Sequence, residues 1–152
     1  MDDFPQPPDD FAHAFESAFA RLQVAVLEAC ARARPWPAQV AAAIETALAF
    51  AAADPAAARV LLVRAPVERP DGPGRHLRLV ECFAELLAAE APRDRRRPAS
   101  AAEAVVGGIA VIVADHIRAD DPQALPALLP ELVELALVPY LGRAEARRWA
   151  GG

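Results

Sequence analysis

The stretch FAHAFESAFARLQVAV, residues 11–26, sets its large apolar side chains at Phe11, Phe15, Phe19, Leu22 and Val26, in steps of four, four, three and four. That spacing follows one face of an α-helix and not the two-residue alternation of a strand. A helix is expected from a cap at Asp9 or Asp10 to about Arg34. There RPWP, residues 34–37, interrupts it, because proline fixes φ, lacks an amide donor and restricts the residue before it.

Beyond this stretch the same period recurs and alternation does not. Pro37 suits the first turn of a second helix, whose buried stripe is Val40, Ile44 and Leu48, with Phe50 on a neighbouring face. Asp54-Pro55 pairs a capping carboxylate with a first-turn proline, so AAARVLLVRA (56–65) starts a short third helix. APVERPDGPGR (65–75) is dense in Pro and Gly and is expected as a surface loop. A helix from about Arg75 to Glu90 buries Leu79, Val80, Phe83, Leu86 and Leu87. APRDRRRPA (91–99) is expected as a solvated loop despite its four arginines.

Two later helices are apolar beyond a single stripe. SAAE (100–103) has the form of a capping box, and the helix it opens, AEAVVGGIAVIVADHIR, is apolar nearly all round. Gly107-Gly108 in its middle costs about 1 kcal/mol per glycine relative to alanine. Close approach of another helix is the usual return for that cost. DDPQALPALLPELVELALVPYLG (120–142) follows, with Pro126 and Pro130 near its first turns and Pro139 expected to end it. A last short helix, RAEARRWA, is weakly amphipathic.

The fold class is therefore all-α, with six to seven helices. The surplus apolar surface on the penultimate pair points to a homodimer in which two helices from each copy form a four-helix bundle. The interface is expected at Val105, Gly108, Ile109, Ile112 and His116 on one helix, and at Leu128, Leu132 and Leu135 on the next.

Bulk properties narrow the function. The chain has 152 residues, enough for one domain with a real core, and 55% of them are hydrophobic. Alanine makes up about a quarter, which favours helices. A net charge of −5 argues against gripping nucleic acid, which needs a basic face. The two cysteines, Cys30 and Cys82, lie in separate apolar helical patterns and are expected as buried reduced thiols. No signal-peptide pattern opens the chain, and the longest uncharged apolar run, AVVGGIAVIVA at 104–114, is too short to span a bilayer. A soluble cytoplasmic protein without membrane contact is expected.

Chemistry is sparse in the sequence. His13, His76 and His116 fall on different helices. His13 and Glu16 stand in the reverse of the Glu-x-x-His order of bundle di-iron sites, and there is no HExxH, phosphate loop or Cys-x-x-Cys. No catalytic residue, metal site or cofactor is expected, and the chain is not expected to be an enzyme. A binding pocket is the better expectation. Trp36, Phe50 and Phe83 are candidates for its wall, with Arg64, His76 or Glu81 as polar anchors, because alanine on the middle helices leaves space that larger side chains would fill.

The ordered set PWPAQVAAAIETALAF, DPAAARVLLV, EAVVGGIAVIVADHI and LPALLPELVELALVPYLG resembles the C-terminal regulatory domain of TetR-like bacterial transcription repressors, from about Phe4 to Trp149. The resemblance implies an all-α domain that binds a small lipophilic or aromatic effector. It also implies dimerisation through the Ala101–Ile117 and Leu125–Val138 helices. In that family a DNA-binding head precedes this domain, joined by a phenylalanine-containing junction. Phe4 and Phe11 keep that phenylalanine spacing, whereas the family's phosphate-reaching lysine falls at Pro7 and its acidic neighbour at Pro8. Residues 1–8 are thus expected to be a remnant of the junction after a missing DNA-binding domain, and 9–150 the effector-binding and dimerisation domain. Two rivals remain: an interaction protein that pairs with full-length relatives and blocks their DNA binding, and an orphan carrier of a small ligand.

Overall fold

The computed structural model describes residues 10–151, and the junction residues Phe4, Pro7 and Pro8, with the candidate cap Asp9, lie outside that range. Seven α-helices, joined by short 3₁₀ and π segments, make up the fold, and no strand occurs among the described residues. The all-α expectation holds.

Helix α1 (Asp10–Ala31) buries Phe11, Phe15, Ala18, Phe19, Leu22 and Val26, the stripe read from the sequence. Its phenylalanines stack along the helix with ring centroids 6.0 and 5.9 Å apart, and Phe19 meets Phe83 at 6.0 Å. The helix ends three residues short of Arg34. Helix α2 (Trp36–Ala53) starts after Pro35 and carries Pro37 in its first turn, where a missing amide is harmless. Trp36 between the two prolines is buried. Its indole N–H donates to Leu87 O at 3.1 Å, and its ring packs edge-on against Tyr140 at 5.1 Å.

The Asp54 restart forms as expected. Its carboxylate accepts the Ala57 amide at 3.1 Å and opens α3 (Pro55–Arg59). The chain then widens into a π-helical turn, Val60–Arg64, and tightens into a 3₁₀ turn, Ala65–Val67. Helix α4 (Gly72–Ala89) begins three residues before Arg75, so the expected loop is shorter. Gly72 permits this: a Cβ there would strike the Ala65 carbonyl and the Glu68 side chain.

Helix α5 (Ala99–Arg118) departs from expectation at its start. Its N-cap is Pro98, with φ −55° and ψ 152°, and no side chain caps it. Ser100 already lies inside the first turn, so the capping box does not form. The arginine loop is largely solvated, with Arg93, Arg96 and Arg97 exposed, but two of its arginines also bond to α6. Arg95 donates to Tyr140 O at 3.4 Å and Arg97 to Pro139 O at 2.7 Å, covering carbonyls near the end of α6.

The final apolar segment splits in two. Residues Pro122–Leu128 form a 3₁₀ helix and Leu129–Leu141 form α6. Pro139 sits inside α6 and does not end it. Proline has no amide to donate to the carbonyl four residues back, at Leu135, and Leu135 is an exposed residue. Gly142, at φ 81° and ψ 165°, supplies the actual stop. Helix α7 (Arg143–Gly151) folds back with Ala146 fully buried.

The interior forms two packed groups. One joins Trp36, Ile44, Leu48, Val113, Leu132 and Tyr140 from α2, α5 and α6. The other joins the α1 phenylalanines to Leu61 and to Leu79 and Val80 of α4. The stretches Ala99–Arg118 and Pro122–Leu141 are each long and apolar enough, by length and composition, to cross a membrane. That corrects the sequence reading, which counted only the uncharged run 104–114. In the fold α5 turns Ala102, Val105, Ala110, Val113, Ala114 and Ile117 inward.

Candidate functional site

Along the seam between the two packed groups lies a cavity of about 190 Å³. Its wall is drawn from α1 (Leu22, Val26, Cys30), from α2, from the π turn, from α4, and from α5 and α6. Six lining residues are alanines: Ala43, Ala47, Ala51, Ala58, Ala110 and Ala136. Three of these lie on α2, where a small side chain leaves room that a larger one would fill. The π turn brings Leu61 and Leu62 to the wall. Such turns recur at functional sites because they shift the helical face by one residue.

Trp36, Phe50 and Phe83 all line the cavity. Arg64, His76 and Glu81 do not. Arg64 forms a two-pronged ion pair with Glu68 at 3.0 Å and lies over the Phe11 ring at 5.0 Å. His76 donates from Nδ1 to Leu61 O at 3.2 Å, tying α4 to the π turn. Glu81 is exposed on α4. The expected polar anchors are therefore structural or solvated.

The polar groups on the wall are others. Gln39 is 8% exposed, and its Nε2 donates to Cys30 O at 3.2 Å. The Cys30 thiol points back to Gln39 O at 3.7 Å, so the end of α1 and the start of α2 clasp each other. Burial pushes the Cys30 thiol above its ordinary pKa, which keeps it protonated at neutral pH. Glu90, at the end of α4, is the charged residue on the wall and is exposed, so the cavity reaches solvent beside it. The sequence held a signal for Gln39: it lies three residues after Trp36 and one before Val40, a polar residue on a buried face. Nothing in the sequence marked Glu90 or the π turn.

The expected dimer residues divide. Val105 and Leu132 are buried at 6% and 0%, inside the folded chain, so neither reaches a partner surface. Ile109 is partly buried and lines the cavity. Gly108, Ile112, His116 and Leu128 are half-buried, and Leu135 is exposed. His116 donates from Nδ1 to Ile112 O at 3.0 Å within its own helix. Val111, unremarked in the sequence, is 60% exposed. A Cβ built on Gly107 or Gly108 meets nothing within 4 Å, so no other helix among the described residues packs there.

Among the described residues, no group of three or more His, Cys, Asp or Glu side chains is placed to hold a metal ion. Comparison with protein-family models, curated proteins and solved structures yields no match.

Proposed function

We propose that the chain is a small-molecule-binding and dimerising regulatory domain of TetR-like type. Its effector is lipophilic or aromatic and occupies the seam cavity. One observation carries this reading: a space of about 190 Å³ walled by alanines, leucines and aromatic rings, with very few polar groups. Interiors pack densely, and leaving a cavity empty costs roughly 24 cal/mol per Å³. A fold that keeps such a space and opens it beside Glu90 suits a guest better than it suits stability alone.

The dimer is proposed on the outward side of α5 and α6. Its apolar strip would comprise Gly108, Val111, Ile112 and Leu135, with Leu128 just before α6: Val111 and Leu135 are exposed and the others half-buried, and the glycines leave the α5 backbone approachable. Burying this strip in a second copy also accounts for the apolar length of both helices without a bilayer. The domain binds its effector and does not transform it. Because α5 lines the cavity on one side and the strip on the other, effector binding shifts the population of dimer geometries.

The test joins two measurements on the same preparation. Static light scattering in detergent-free buffer at micromolar concentration should give twice the chain mass. A panel of neutral aromatic compounds should raise Tm in proportion to the logarithm of their concentration. A monomer, or a protein that needs detergent to stay in solution, refutes the dimer. A panel without effect on Tm refutes the effector site.

A further inference from the structure

We infer that the cavity selects ligands with one hydrogen-bond donor, such as a phenol, an alcohol or an indole N–H, and that Gln39 Oε1 receives it. This rests on the effector-site reading and names the chemistry of the ligand. Gln39 is more than nine-tenths buried and lines the cavity. Its amide orientation is fixed by its neighbour. A carbonyl oxygen only accepts, so the nitrogen must face Cys30 O, where it lies at 3.2 Å. The oxygen is thereby turned away, and it accepts no hydrogen bond among the described residues. It is also not among the sealed, unpartnered polar atoms of the interior, which are Arg75 Nε and Tyr140 Oη. The Gln39 oxygen is therefore reachable, and Gln39 is one of the residues that line the cavity.

Other ligand classes fit poorly. No cationic side chain lines the wall, and the carboxylate of Glu90 stands where it meets solvent, so carboxylates and phosphates are repelled. A ketone or ether offers only acceptors, which would face Oε1 lone pair to lone pair. A donor on an apolar body satisfies the open acceptor of Gln39 and leaves the alanine and leucine walls dry. A cavity of roughly 150 Å³ admits benzene. A volume of about 190 Å³ leaves room for a slightly larger aromatic body.

The experiment titrates the full chain with 2-naphthol, 2-methoxynaphthalene and naphthalene by calorimetry. 2-Naphthol should bind about tenfold more tightly than either analogue without a donor, the usual reach of one buried hydrogen bond. Naphthalene controls for the bulk of the added methyl group. In Gln39→Met, 2-naphthol should fall to the level of the other two, whose affinities stay unchanged. The variant should fold, because Cys30 O also accepts the Ala33 amide at 3.2 Å and is not orphaned. Equal affinities in the unaltered protein overturn the inference and leave the effector site standing. So does an equal loss for all three ligands in Gln39→Met, which would mark a structural role. If none of the three binds, the effector-site reading fails, and this inference falls with it.

Discussion

Ala110→Leu separates a real cavity from a gap that the chain would close. Ala110 lies on α5, is 7% exposed, lines the cavity and belongs to neither packed group. Leucine adds three carbons beyond the Cβ that alanine already carries. At about 0.8 kcal/mol per buried methylene, filling the space stabilises the fold by up to about 2 kcal/mol. Leucine is nearly as good a helix former as alanine, so propensity offsets little of that. For a chain of this size the gain corresponds to a rise in Tm of roughly 4–8 °C. Urea unfolding followed by circular dichroism reads the stability, and calorimetry with 2-naphthol reads the affinity. The variant should be more stable and bind at least tenfold less tightly. If it loses about 1–3 kcal/mol, the range of overpacking, and keeps its affinity, the space at Ala110 is already filled and the cavity argument is wrong.

Gly107→Ala and Gly108→Ala should each stabilise the dissociated chain by about 1 kcal/mol, since nothing in the chain opposes the added methyl group. The same changes should weaken self-association, as read by sedimentation across a dilution series; unchanged association refutes packing at the glycines. The Arg78 and Arg75 guanidiniums beside Glu16, Arg78 above all, hold its carboxyl below the ordinary value of 4.5. Its contribution is therefore full above that pH and is lost as pH falls through the lowered value. Glu16→Gln should flatten the acid limb of the stability curve below about pH 4.5, and at neutral pH should cost less than about 1 kcal/mol because the pair is solvent-screened. Both thiols are raised by burial, so iodoacetamide should modify Cys30 and Cys82 slowly at pH 7. Saturating 2-naphthol should slow Cys30 further and leave Cys82 alone, because Cys30 is on the cavity wall and Cys82 is not; equal protection by mass spectrometry would count against the site.

What could be read from the sequence was whatever depends on local period. The α1 phenylalanines, the Asp54-Pro55 restart and the α2 stripe all declare themselves within a few turns, and each is in place. The errors cluster where distant residues decide. Ser100 and Glu103 have the letters of a capping box, yet the helix starts earlier, after Pro98, and leaves Ser100 inside the first turn. Arg95 and Arg97 sit in a charge run, yet carbonyls more than forty residues along the chain take them up. Val105 and Leu132 belong to helices with apolar surface to spare, and only the packing shows that they spend theirs inside the chain. The aromatic part of the cavity wall was legible because rings at helical spacing face inward. Its polar part was not, because His76 and Arg64 found partners next to the π turn, which no pattern announced.

The glycine pair gives α5 a particular mechanical character. On one side Val106, Ile109, Ala110 and Val113 border the cavity, and on the other Gly108 and Val111 face outward. Between two ordinary helices, a small displacement is absorbed by side chains that change rotamer. At Gly107 and Gly108 there is no side chain to do so. A neighbour seated there would touch the backbone itself, within one helix diameter, about 10 Å, of a cavity ligand. If two copies meet on this strip, a ligand that moves α5 by a fraction of an ångström must move the partner helix or break the contact. The same feature that lowers the intrinsic stability of α5 would then make it a stiff link between ligand and interface. Replacing the glycines with alanine should therefore reduce the effect of a ligand on dimer affinity even at concentrations where the variant is still fully dimeric.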